Sequence, residues 1–149
     1  MSDADDRSPY VESPIIMTTV RVIAPFVFTL GLFVMFHGAD SSGGGFQGGV
    51  IVATVVIMLG IAFGIDVTRE WIGDTALGAL AVLGVAAFLA AGLGALVFGG
   101  RFLEFGVYPI GHATTYGIEF VELGIGVTVA GVVSGLFFAI EAAADGGTQ

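Results

Sequence analysis

Charged residues fence off four long apolar runs in this chain. None occurs between Arg21 and Asp40, between Asp40 and Asp66, between Asp74 and Arg101, or between Glu122 and Glu141. Each interval offers roughly the 17 to 25 residues that a helix needs to cross a bilayer. The pattern predicts four transmembrane helices with cores at 20–36, 50–65, 76–98 and 118–140. A β-barrel would show shorter segments that alternate apolar and polar residues, and these runs do not alternate. The expected fold is an all-α integral membrane protein with four transmembrane helices and short loops. Its membrane domain covers 15–141, between an acidic tail at 1–14 and a polar tail at 142–149.

Composition supports this class. Of 149 residues, 56% are hydrophobic and 11% charged, against the roughly 25% charge of a soluble domain. Such a chain has too little polar sequence to cover a soluble exterior. The opening "MSDADDRSPYVESP" lacks the basic start and apolar core of a signal peptide, so the first span is expected to stay in the mature protein. Arg7, Arg21 and Arg69 fall on one side of this topology and Arg101 on the other. The positive-inside rule then puts both termini in the cytoplasm of a multi-pass cell-membrane protein. With no cysteine, the chain offers neither disulfides nor thiolate ligands.

Within the spans, small residues stand out. "GIAFG" (60–64) and "GVVSG" (131–135) have small-xxx-small spacing, and the third span is rich in Gly and Ala, which lets helices approach closely. Pro25 falls inside the first span, where it removes a backbone donor and predicts a kink. The densest glycine cluster, "HGADSSGGGFQGGV" (37–50), separates the first two spans. It predicts a tight hairpin made by Gly43, Gly44 and Gly45. Phe46, Gly48 and Gly49 then open the second helix with a small face against which another helix can press, from this chain or from a different subunit. A phosphate-binding loop is excluded, because Asp40 lies beside the run and no basic residue does.

Ionisable residues near spans are candidates for an ion path. Glu119 and Glu122 share a helical face by their i, i+3 spacing. If the fourth helix starts near Thr114, Glu122 lies about 12 Å along it. If the helix starts at Ile118, both carboxylates belong to its first turn, where the macrodipole favours an anion. His37 and Asp40 follow the first span, and His112 precedes the fourth. All three face the outside with Arg101 and Glu104, either as solvated loop residues or as part of an ion path. Asp66, Arg69, Glu70 and Asp74 have the spacing of a salt-bridged cytoplasmic turn. No nucleophile with a base, P-loop or metal-ligand spacing occurs. The expectation is therefore a packed membrane component of something larger that is not an autonomous enzyme and has no cofactor, metal site or catalytic residue.

The string "HGADSSGGGFQGGV" resembles the signature of the MnhB-domain family, the B subunit of Mrp-type multisubunit Na+/H+ antiporters. The match runs through Gly38, Asp40 at the family's Asn position, Gly43 to Gly45, Phe46, Gly48, Gly49 and Val50. "YPIGHATTYGIEFVELGIGVTVAGVV" also resembles the family's fourth-span region, and the likeness extends over about residues 15 to 140. Two positions depart from the signature. Ala39 occupies the family's histidine position, so that role does not pass to His37, and Ser42 replaces the family proline. The resemblance implies a subunit that exchanges Na+ for H+ together with other antiporter subunits in the lipid bilayer. The runner-up is the antiporter-like module of a membrane-bound hydrogenase or related respiratory complex, and a third reading is a scaffold subunit without ion-path residues.

A net charge of −9 with no lysine is unusual where cytoplasmic loops are normally basic. It leaves no basic stripe for a nucleic-acid partner. High acidic charge is one device of halophiles, and it predicts that the folded protein needs molar salt. Thermal denaturation across a salt series checks this, and stability independent of salt contradicts it.

Overall fold

A computed structural model describes residues 13–38 and 42–146. The chain forms α1 (Pro14–Phe36), α2 (Gly45–Phe63), a short α3 (Ile65–Ile72), α4 (Asp74–Val97) and α5 (Ala113–Gly146), with a single 3-10 turn at Phe105–Val107 before α5. Four of the helices are long and apolar enough to cross a membrane. This is the all-α, four-span fold that the charge pattern predicts.

Helix boundaries differ from the expected cores for local reasons. Ser13 caps α1, its hydroxyl accepting from Ile16 N–H at 3.5 Å, and Pro14 occupies the first turn, where its missing donor costs nothing. The helix therefore starts six residues before Val20. It runs through Pro25 without a break, and the Thr29 hydroxyl donates to the Pro25 carbonyl at 2.8 Å. The second helix already starts at Gly45, so Gly45, Gly48 and Gly49 are helical residues.

At the other end of α2 the expected turn is helical too. "IDVTREWI" forms α3, set off by Gly64 at φ 98° and Gly73 at φ 78°. These left-handed conformations end one helix and allow the next to start in a new direction. Arg69 of α3 pairs with Asp74, the first residue of α4, at 2.6 Å. That bears out the salt-bridged turn for these two residues.

The long helices pack in the order α1, α2, α5, α4. α1 and α2 are antiparallel, with Gly31 against Val52 and Gly48 against Met35. Val20 and Ala24 of α1 form a buried cluster with Val55 and Ala62 of α2. α2 and α5 run parallel, Gly49 lying on Gly126 and Gly60 on Phe137. α4 and α5 are antiparallel, Gly84 lying on Gly124 and Gly131 on Leu77. The Thr128 hydroxyl ties this last seam, lying 2.9 Å from the Gly124 carbonyl and 3.3 Å from that of Ala81.

Arg21 and Arg69 lie at one end of the bundle. Arg21 stacks over Phe63 with its guanidinium carbon 5.2 Å from the ring centroid, level with the end of α2. Arg69 and Asp74 lie in the neighbouring turn. At the opposite end, the loop from α4 to α5 folds back on α4. Phe102 lies on Gly92 and meets Phe88 edge-on, and the Tyr108 hydroxyl donates to the Ala91 carbonyl at 2.9 Å.

Two glycines of α4 separate packing from helix propensity. A methyl group at Gly84 would overlap the Gly124 carbonyl oxygen and the Thr128 hydroxyl, whereas one at Gly78 meets nothing within 4 Å. Gly84→Ala is expected to cost about 1–3 kcal/mol by overpacking. Gly78→Ala is expected to be neutral or to stabilise by up to about 1 kcal/mol through helix propensity. Thermal unfolding of the two variants in detergent checks the contrast.

Candidate functional site

Glu122 is the residue around which the hairpin end of the molecule closes. α5 starts at Ala113, so Glu122 lies nine residues into the helix, about 14 Å along it. This decides between the two expected positions. Neither Glu119 nor Glu122 is in the first turn, so neither caps the helix. Measured the other way, Glu141 lies nineteen positions after Glu122, about 28 Å of helix against a hydrocarbon core of about 30 Å. With Glu141 at one face of the bilayer, Glu122 lies near the opposite edge of the core.

The glycine run lies directly against this side chain. A methyl group on Gly38, just beyond α1, would fall on the Glu122 carboxylate. One on Gly44 would lie 3.2 Å from Glu122 Oε1, and one on Gly45 would overlap the Glu122 backbone carbonyl. One turn further, a methyl on Gly49 would stand 2.5 Å from the Gly126 carbonyl oxygen, and one on Gly48 2.7 Å from that of Gly31. The hairpin is held at its base by Gly44 N–H, which donates to the Val34 carbonyl at 3.2 Å. The small face that opens α2 is thus occupied by α1 and α5 of the same chain. Phe46 is exposed.

Glu122 Oε2 is buried and has no hydrogen-bond partner among the described residues. The start of α2, whose first N–H groups lack intrahelical partners, lies over the same carboxyl and turns the positive end of its macrodipole toward it. No three His, Asp or Glu residues converge among the described residues. Glu122 is therefore a single carboxyl in a wall of backbone, with nearby oxygen supplied by peptide carbonyls and by Gln47, whose side-chain oxygen also borders Gly44.

Other expected site residues fall at varying distances from this centre. Glu119 lies one turn above Glu122 and is half-buried. His37 is exposed at the end of α1, where its ring stacks on Phe33 with centroids 4.0 Å apart and Nδ1 lies 3.0 Å from the Phe33 carbonyl oxygen. Asp40 lies outside the described residues. His112 is exposed, at φ 58°, immediately before α5. Sequence reasoning did not single out Gly38 as part of the Glu122 wall, nor Thr128 on the α4–α5 seam.

Residues 15–135 match the family model described as a domain related to the MnhB subunit of Na+/H+ antiporter. The chain belongs to the MnhB domain family. A Staphylococcus haemolyticus protein named "Putative antiporter subunit mnhB2" is 30% identical over 138 residues, which cover 87% of this chain and 96% of that protein. A Staphylococcus aureus protein of the same name is 28% identical over 128 residues, 82% and 90% of the two chains. An uncharacterised protein of Methanocaldococcus jannaschii is 32% identical over 91 residues, which cover 61% of this chain and 34% of that longer protein. The matched region of the MnhB family model contains both the glycine hairpin and Glu122.

The contact between Gly38 and Glu122 predicts a coupled pair. Gly38→Ala should destabilise the protein by about 1–3 kcal/mol. The same substitution should be far less damaging beside Glu122→Ala, which removes the obstructing carboxyl. A double-mutant cycle on thermal stability measures the coupling, and additive effects contradict the contact.

Proposed function

We propose that this MnhB-family chain is a membrane subunit of a multisubunit antiporter that exchanges Na+ for H+ across the cell membrane, and that Glu122 is an ion-path group in it, carrying a proton or a cation. The observation that carries the second part is the Glu122 Oε2 beneath the glycine hairpin, buried and with no hydrogen-bond partner among the described residues. A carboxyl inside a span is expensive and is retained where it meets a transported ion or a partner. The relatives' name supplies the antiporter and the assembly. The arrangement of the four arginines favours both termini on the cytoplasmic side, which puts the Glu122 site toward the outer face. Glu119, one turn further out, and Asp40 and His37 in the hairpin are the groups through which an ion would approach.

Glu122→Gln keeps the shape and removes the titrating, charge-bearing group. In an assembled complex reconstituted into vesicles, it is expected to lower Na+ transport coupled to a pH gradient by about 100-fold, at the lower end of what a positioned proton-transfer group supplies. Unchanged transport with normal assembly would make the chain a scaffold and sink the ion-path role.

A further inference from the structure

A furrow runs along the α4–α5 seam, at the edge of the helix row farthest from α1. It consists of two adjoining cavities of about 370 and 430 Å³ that share Ala81 and Val132. Among the described residues its lining comes from the end of α3, from α4 and from α5. Missing side chains at Gly78, Gly131 and Gly135 open the first cavity, over the buried Phe138. Val82, Val85 and Leu89, all exposed, border the second. From Leu77 to Leu89 the furrow follows twelve residues of α4, about 18 Å, close to the roughly 15 Å of hydrocarbon in one leaflet.

One end of this apolar furrow is charged. Arg69 lies there and donates to the Asp74 carboxylate through Nε at 2.8 Å and Nη2 at 2.6 Å. A guanidinium carries five N–H donors, so Nη1 keeps both of its hydrogens for a further acceptor. Two residues on, Trp71 is 74% exposed, and Val67 is exposed one turn before it. These side chains suit a short helix at the headgroup level, where tryptophan concentrates. The furrow thus descends from a cationic group at the membrane surface into the hydrocarbon, with no polar side chain along it until Thr128.

We propose that the furrow holds one membrane phospholipid, with an acyl chain lying over Gly78, Gly131 and Gly135 and its phosphate on Arg69. An acyl chain recovers the dispersion contacts that an empty furrow forfeits, and the phosphate takes the guanidinium donors that Asp74 leaves free. Basic groups between membrane helices hold lipid headgroups in this way. A neighbouring helix, about 10 Å wide, would ride on the exposed Val82 and Val132 and would have to bring an anion of its own to Arg69. The site lies across α5 from the glycine hairpin, and the inference does not use the ion-path reading of Glu122.

The test uses the chain purified in mild detergent with whatever subunits accompany it. The probe is phosphatidylcholine with a diazirine midway along one acyl chain. After illumination, labelled peptides are mapped by mass spectrometry. Labelling is expected to concentrate at 81–89 and 128–135 over the exposed face of α1, and to be displaced by unlabelled phosphatidylcholine but not by diacylglycerol with the same chains. Gly78→Leu and Gly135→Leu fill the furrow, and because a Cβ at either position meets nothing within 4 Å both variants should fold and lose the label. Arg69→Gln should lower labelling about tenfold, as loss of a charged hydrogen-bond partner does. The turn itself is held by Gly73 N–H donating to the Arg69 carbonyl at 2.8 Å. Asp74→Asn breaks the same ion pair but leaves the guanidinium, so its labelling should not fall. Label spread evenly over α1 and α4, displacement by diacylglycerol as well, or equal losses in Arg69→Gln and Asp74→Asn overturns the site. A furrow that takes no label because another subunit covers it overturns it too.

Discussion

Everything at the hairpin end depends on backbones meeting without side chains between them. Gly45 and Gly49 of α2 lie on the backbone of Glu122 and Gly126, and Gly84 of α4 lies on Gly124 from the other side. α5 is therefore clamped at one level by two helices. Apolar burial gives little reason for helices to associate in lipid, where the surroundings are as apolar as the interface. Close van der Waals contact has to do that work, and contact this close is open to glycine. Larger residues at these positions would push the helices apart and separate Glu122 from the hairpin.

That clamp also fixes the chemistry. With α5 held against the start of α2, the Glu122 side chain lies against Gly38 and Gly44, and its Oε2 is buried there with no hydrogen-bond partner among the described residues. The same contacts set the stagger of the bundle, because α2 begins at the level where α4 is half completed. A carboxyl walled by backbone follows from where the glycines fall in the hairpin and in three helices.

Much of this was legible in the sequence. Four uncharged intervals of spanning length gave four helices, and the i, i+3 spacing of Glu119 and Glu122 put both on one face of the last. The glycine string was recognisable as a family signature, and the family is the one to which the chain belongs. Its physical role was harder to see. Glycine is a poor helix former, so Gly43 to Gly45 read as the turn and the regular core of the second span was placed only from Val50, although the small face at 46–49 was expected to open that helix. In lipid, packing against α1 and α5 overrides that preference. The α2–α3 break was hidden for a related reason, since it depends on the left-handed conformations of Gly64 and Gly73 and not on any change in hydropathy. The pairing of Gly38 and Gly45 with Glu122 joins residues more than seventy positions apart, and no local periodicity encodes such a contact.

The central claim is that this chain works as one member of a heteromeric ion-exchanging assembly, with Glu122 as a group in its ion path. Affinity purification of the tagged chain from its own membranes in mild detergent, followed by native mass spectrometry and reconstitution of the same fraction, tests this most directly. The account predicts a complex of several different membrane subunits that exchanges Na+ for H+ after reconstitution. A chain that emerges alone, as a monomer or homo-oligomer, and carries ion exchange by itself would contradict it.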